Sequence, residues 1–205
     1  MSGLIEWYLN GGPTMHGILF MAVLGFVFII ERFITFARAG ANPKKFTEEV
    51  VSRLKKGGVD SAIKYCKSNR TPIARILEAV LEKSKQVKDK TILEETLAAV
   101  ATDELAFLDR GLPFIAASTT LAPMLGFLGT VTGMIRAFNA IALAGTVEPT
   151  LVAAGISEAL ITTEFGLIVA IPCALAHTYF SSRVNGYVRS MEEASSLIID
   201  KIMEE

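Results

Sequence analysis

The sequence predicts an all-α membrane protein with three transmembrane helices and a large cytoplasmic helical insertion, and three observations carry that prediction. Of 205 residues, 51% are hydrophobic, and the mean hydropathy of +0.45 is that of a chain made for lipid. The charged residues fall into blocks that leave three long stretches nearly free of Asp, Glu, Lys and Arg. Fifteen of the 20 basic residues lie in a single segment, Arg38 to Arg110.

A net charge of −1 gives no electrostatic footprint for nucleic acid. Two cysteines, Cys66 among charges and Cys173 among apolar residues, make neither a disulfide framework nor a zinc knuckle.

Taken in order, residues 1–14 precede the first span and contain no Lys or Arg. The first span, 15–37, opens on a run from Met15 to Ile30 without Asp, Glu, Lys or Arg, long enough at ~1.5 Å per residue to cross a bilayer. No basic segment precedes it and no small-x-small pattern follows, so it reads as a retained helix rather than a cleaved signal. The second span, 111–144, has Arg136 as its only charge, and the third, 151–180, carries Glu158 and Glu164. Between them, residues 145–150 form a short hairpin without basic residues. The positive-inside rule then makes 38–110 and the tail 181–205 cytoplasmic, with residues 1–14 and the hairpin outside.

Within 38–110 every signal is helical. Asn42-Pro43 and Thr71-Pro72 each place a cap before a proline at a helix start, and Gly57-Gly58 marks a stop. From Thr91 onward Ile92, Leu93, Leu97, Val100, Leu105 and Leu108 keep helical spacing into the second span. Unbroken to Ala144, that helix would be ~80 Å long, with Pro113 and Pro123 as its places to bend.

The second and third spans are richer than anchors need. Ala159, Thr163, Gly166, Ala170, Cys173 and His177 follow one another by fours and threes, as do Thr119, Ala122, Gly126, Thr130, Gly133, Ala137 and Ala140. Stripes of this kind let helix backbones approach closely, with Gly129 and Gly133 in such a pattern, or they line a passage. Counted from the hairpin, Thr130 and Thr163 fall at one depth, and Arg136 and Glu158 at another where they can pair. Ionisable side chains in hydrocarbon pair, line water or move charge, which singles out Glu158 and Glu164. Glu31 and Arg32, at the inner end of the first span, read as interfacial side chains reaching headgroups, and His16 and His177 as interfacial too. Pro172 frees the carbonyl of Ile168 and permits a bend.

Two segments, Ala122-Pro-Met-Leu-Gly-Phe-Leu-Gly-Thr-Val-Thr-Gly-Met-Ile135 and Gly155-Ile-Ser-Glu-Ala-Leu-Ile-Thr-Thr-Glu-Phe-Gly-Leu-Ile-Val-Ala-Ile-Pro172, resemble the paired signatures of the MotA/TolQ/ExbB proton channel family. Three spans rather than four place the resemblance in the ExbB/TolQ branch. It implies a homo-pentamer in the bacterial inner membrane, whose second and third spans surround a pore holding helices of a single-span ExbD/TolR-like partner. That partner brings a membrane aspartate, and proton flow drives work on a TonB-like or Tol-Pal-like envelope system. On matching positions, Thr130 and Thr163 resemble the family's pore hydroxyls and Glu158 its third-span acid, with Thr162 and Glu164 beside them. Gly126, Gly129, Gly133, Gly166, Ala159, Ala170 and Pro172 are the expected packing positions. Glu164 departs from the small residue expected there and opens a sodium-driven alternative.

Two other classes stand against this. A membrane scaffold would use the stripes only to pack subunits. An enzyme would need a reaction centre, but Glu158, Glu164 and His177 are spaced unlike ligands on one helical turn, and no phosphate loop is present. No cofactor and no metal are expected.

Overall fold

The structure, a computed structural model, describes residues 2–38, 43–69 and 71–204. Among them every regular element is a helix: α1 (Ser2–Asn10), α2 (Thr14–Arg38), α3 (Pro43–Ser68), α4 (Pro72–Ser84), α5 (Lys90–Asp109), α6 (Leu112–Ala144) and α7 (Pro149–Glu204). Three stretches, Thr14–Ala37, Lys90–Ala144 and Val152–Met203, are long and apolar enough to cross a membrane. The chain divides into two compact units, one of residues up to Glu31 with Gly111–Tyr179, the other of Arg32–Arg110 with Phe180–Glu205.

In the first, apolar unit, α2 turns Met15, Ile18 and Met21 inward and leaves Leu19, Phe20, Val23, Phe26, Val27 and Ile30 exposed. A helix surrounded by hydrocarbon needs no polar outer face, and this one has none along that run. Its inner contacts are close. A Cβ at Gly25 would lie 2.7 Å from the Cys173 sulfur and 3.1 Å from Ser118. Ser118, fully buried, donates its hydroxyl to the Met21 carbonyl at 3.1 Å, and Phe28 stacks on Phe114 at 4.4 Å between centroids.

The second unit has the core of a water-soluble helical domain. In α4, Ile73, Ala74, Ile76, Leu77, Val80 and Leu81 are all at most 2% exposed, and α4 packs against both α3 and α5. Beyond Tyr179, α7 buries Phe180, Val184, Tyr187, Met191, Ala194 and Ile198. Spacings of four and three make these one seam of a helix, so the segment read from sequence as a tail belongs to the core. Lys90–Asp200 at 3.0 Å and Lys44–Glu193 at 3.4 Å pair its exposed edges.

Four local readings meet the structure differently. α4 begins at Pro72 as its signal predicts, but the buried Thr71 hydroxyl makes no capping bond. Asn42 lies outside the described residues. Gly57-Gly58 kinks rather than ends the helix, because Gly58 takes φ +68°, a conformation open to glycine, and helix resumes after it. The helical run from Thr91 to Ala144 is interrupted at Arg110 and Gly111, next to Pro113, one of its two expected places to bend. Pro113, with no N–H, cannot continue the ladder there.

That interruption explains Arg32, whose interfacial reading the structure overturns. Arg32 is 2% exposed. Its Nη1 donates to the Leu108 carbonyl at 2.7 Å and to that of Phe107 at 3.2 Å. Carbonyls at a helix end lack intrahelical partners, and the buried guanidinium serves as their donor.

Candidate functional site

Three glycines set how closely α6 and α7 approach. A Cβ at Gly126 would stand 2.8 Å from the Thr162 carbonyl oxygen and 3.1 Å from the Thr163 Cα, and one at Gly133 would lie 3.0 Å from the Gly155 carbonyl. From the other side, a Cβ at Gly166 would lie 2.7 Å from the Ala122 carbonyl. Gly129 accommodates the Thr162 side chain itself. The two small-residue stripes therefore face each other inside one chain from Ala122 to Ala137 and from Gly155 to Gly166, while Cys173, further along, meets Gly25 of α2. Pro172 is exposed, on another face of α7.

Two hydroxyls, of Thr162 and Thr163, sit along this contact, and a third, of Thr130, bonds its own helix. Thr162, fully buried, donates to the Ala159 carbonyl of its own helix at 2.9 Å. Thr163 reaches across to the Gly126 carbonyl at 3.5 Å. Thr130 donates to Phe127 at 2.6 Å. Because Thr163 faces Gly126, Thr130 stands one helical turn from that level, where the sequence count put the two threonines together. The count treated the ends of both spans as level. In fact α6 closes on Gly145 in the left-handed conformation (φ +67°), with its N–H on the Ile141 carbonyl, and α7 starts at Pro149.

Toward the hairpin, Arg136 Nη1 lies 2.6 Å from Glu158 Oε1. The pair is asymmetric: the arginine side chain is 51% exposed, the glutamate 16%. A turn absent from the sequence reading covers the glutamate. Gly12, at φ +71° between α1 and α2, packs so tightly on the Glu158 carboxylate that a Cβ would collide with it. Gly11 leaves only 3.2 Å from a Cβ to Ile161, and Trp7 meets Phe165 edge to face at 6.5 Å between centroids. The Gly-Gly-Pro run was a legible turn signal, but nothing in it pointed to Glu158. Beside the pair opens a cavity of ≈570 Å³ that includes Asn10, Arg136, Ala140, Gly155, Ser157 and Glu158 in its wall.

Glu164 is exposed on α7, beside Thr163 in sequence but on another face. His16 is also exposed, its Nδ1 in contact with the Tyr8 hydroxyl. Among the described residues no three His, Cys, Asp or Glu side chains gather as metal ligands would.

Long apolar helices packed through glycines around hydroxyls and an ion pair define a multi-pass α-helical membrane protein with a polar contact between two spans. Over residues 68–193, more than half of its length, the chain matches the MotA/TolQ/ExbB proton channel family, and it belongs to that family. Its similarities lie in the ExbB/TolQ branch. It is 33% identical over 179 residues to an ExbB-like biopolymer transport protein of Synechocystis, covering 85% of this chain and 83% of that one. Against an ExbB homolog of Methanothermobacter thermautotrophicus it is 27% identical over 191 residues, covering 92% of this chain and 67% of the relative. The Tol-Pal system protein TolQ of Haemophilus influenzae is 42% identical over 82 residues, 40% of this chain and 36% of TolQ. The chain thus spans about two thirds of the Methanothermobacter relative and about a third of TolQ.

Proposed function

We propose that this chain is an ion-channel and motor subunit of the inner membrane which, with a single-span ExbD/TolR-like partner, turns the proton motive force into mechanical work across the cell envelope. Family membership over residues 68–193 carries the proposal, and the names of the relatives, biopolymer transport and Tol-Pal proteins, support the envelope role. The arrangement is a homo-pentamer, residues 1–14 and 145–150 facing outward and 38–110 and 181–205 inward. The partner acts on a TonB-like or Tol-Pal-like system.

In this reading Thr130, Thr162 and Thr163 offer hydroxyls to the ion pathway. A hydroxyl both donates and accepts, so it can serve a passing carboxyl in either protonation state without adding fixed charge. Each charge crossing 100 mV releases about 2.3 kcal/mol, comparable with a few such hydrogen bonds and sufficient to bias the partner's position. Glu158 is the acid of the pathway, held by Arg136 at 2.6 Å. The exposed Glu164 lies within an apolar span. Hydrocarbon disfavours such a carboxylate by several kcal/mol, so its face of α7 meets another chain or water. That favours a second reading, a sodium-driven machine in which Glu164 is a cation ligand.

Ion flux into liposomes containing the chain with and without its partner tests both readings. Proton uptake in sodium-free buffer that requires the partner is the expected result. Flux that appears only with sodium and is lost in Glu164→Ala would select the sodium version. No flux with either ion would leave a membrane scaffold.

A further inference from the structure

The strongest feature outside the α6–α7 contact lies on α7 just past its apolar stretch. Ser182, Arg183, Gly186, Tyr187, Arg189 and Ser190, with Pro43 of α3, line a pocket of ≈380 Å³. Two cations and two serine hydroxyls converge there and no carboxylate is in its wall. The Ser190 hydroxyl donates to the Gly186 carbonyl at 3.0 Å, so its oxygen orientation is set. Tyr187, also in the wall, is 7% exposed. Gly186 makes the room: a Cβ there would meet nothing within 4 Å.

Such a donor set fits a phosphate ester, since guanidinium forks match its oxygens and the Ser182 hydroxyl adds a further donor. Position decides which ester. Arg183 is three residues beyond Phe180, where the third apolar stretch ends, about 5 Å along a helix. That is the depth of a headgroup layer, roughly 5–7 Å thick on each side of the hydrocarbon. Arg189, about 14 Å along, has a stem long enough to reach back.

We infer that this pocket binds the phosphate of an anionic glycerophospholipid, fixing the start of the polar part of α7 to the inner leaflet. The inference does not depend on ion conduction. Its test is lipid retention by the purified full chain, measured by mass spectrometry after detergent washing and reloading with phosphatidylglycerol or phosphatidylcholine. Phosphatidylglycerol should be retained preferentially. Arg183→Gln and Arg189→Gln should each lower its retention about fivefold. Gly186→Leu should abolish the preference while melting no lower than wild type, because the added side chain enters open space. Equal retention of the two lipids, or preference untouched by Gly186→Leu, would overturn the inference. So would displacement of phosphatidylglycerol by inorganic phosphate at millimolar concentration, which would make this a site for the free anion.

Discussion

The two units of this chain solve the problem of packing helices by opposite means. In the apolar unit, contacts are made by glycines against backbone, as at Gly166 and the Ala122 carbonyl, while large side chains such as Phe20, Phe127 and Leu160 point away. In the polar unit, the large side chains are the contact: Ile73, Ile76, Leu77 and Leu81 fill its centre. Solvent accounts for the difference. Lipid gives a leucine no reason to leave it, so close backbone approach and interhelical hydrogen bonds remain as the adhesive, whereas water expels apolar area. Polar groups follow the same division. Ser118 and Thr163 bond to backbone carbonyls of neighbouring helices in the apolar unit, and the Lys67–Glu82 pair of the other unit lies at its surface.

Substitutions can break that contrast in order of size. Leu77→Ala should cost about 2–5 kcal/mol and lower the melting of the polar unit, measured by chemical denaturation in detergent, because a fully buried side chain leaves a cavity. Gly166→Ala should cost about 1–3 kcal/mol in the apolar unit, read as loss of detergent-stable protein, though it adds only a methyl. The same change at Gly186 should cost nothing and stabilise by up to about 1 kcal/mol, as its Cβ has open space inside a helix. Arg32→Met should cost about 1–3 kcal/mol by leaving the Phe107 and Leu108 carbonyls unpaired, seen as faster hydrogen exchange in the last turn of α5. Asp89→Ala should cost about 1 kcal/mol, since Asp89 caps α5 by accepting from the Thr91 and Ile92 amides.

Cys66 sharpens the contrast through pH. Burial, aided by Glu78, pushes its thiol up to about 12 from 9.0. The folded state holds the proton more tightly, so this contribution to stability is full below pH 9 and declines as pH rises from 9 toward 12. Maleimide labelling at pH 8 should be slow in the native protein and fast once it is unfolded.

The spans were legible because hydrocarbon imposes a length and a charge rule that one chain displays openly. The stripes containing Gly126, Gly133, Thr163 and Gly166 were legible for a related reason, since close approach restricts residue size at helical spacing. Their direction was not: spacing alone leaves open whether small residues face a neighbouring helix or a lumen, and the structure turns them toward each other. Arg32 was misread because an arginine at the end of a span suits both a headgroup and a broken helix, and the break depends on Pro113, distant in sequence. The Phe180–Ile198 seam was present at heptad spacing but lay among charges. Gly12 over Glu158 was beyond reach, being a contact between residues far apart in the chain.

If the apolar unit holds the ion path and the polar unit only supports it, flux and stability must separate. Proton uptake by liposomes containing the complex, compared between Thr163→Val and Leu77→Ala under an imposed potential, tests this most directly. The account predicts that Thr163→Val melts as wild type and loses most of the flux, while Leu77→Ala keeps its flux per folded complex at temperatures where it remains folded. Undiminished flux in Thr163→Val would contradict it.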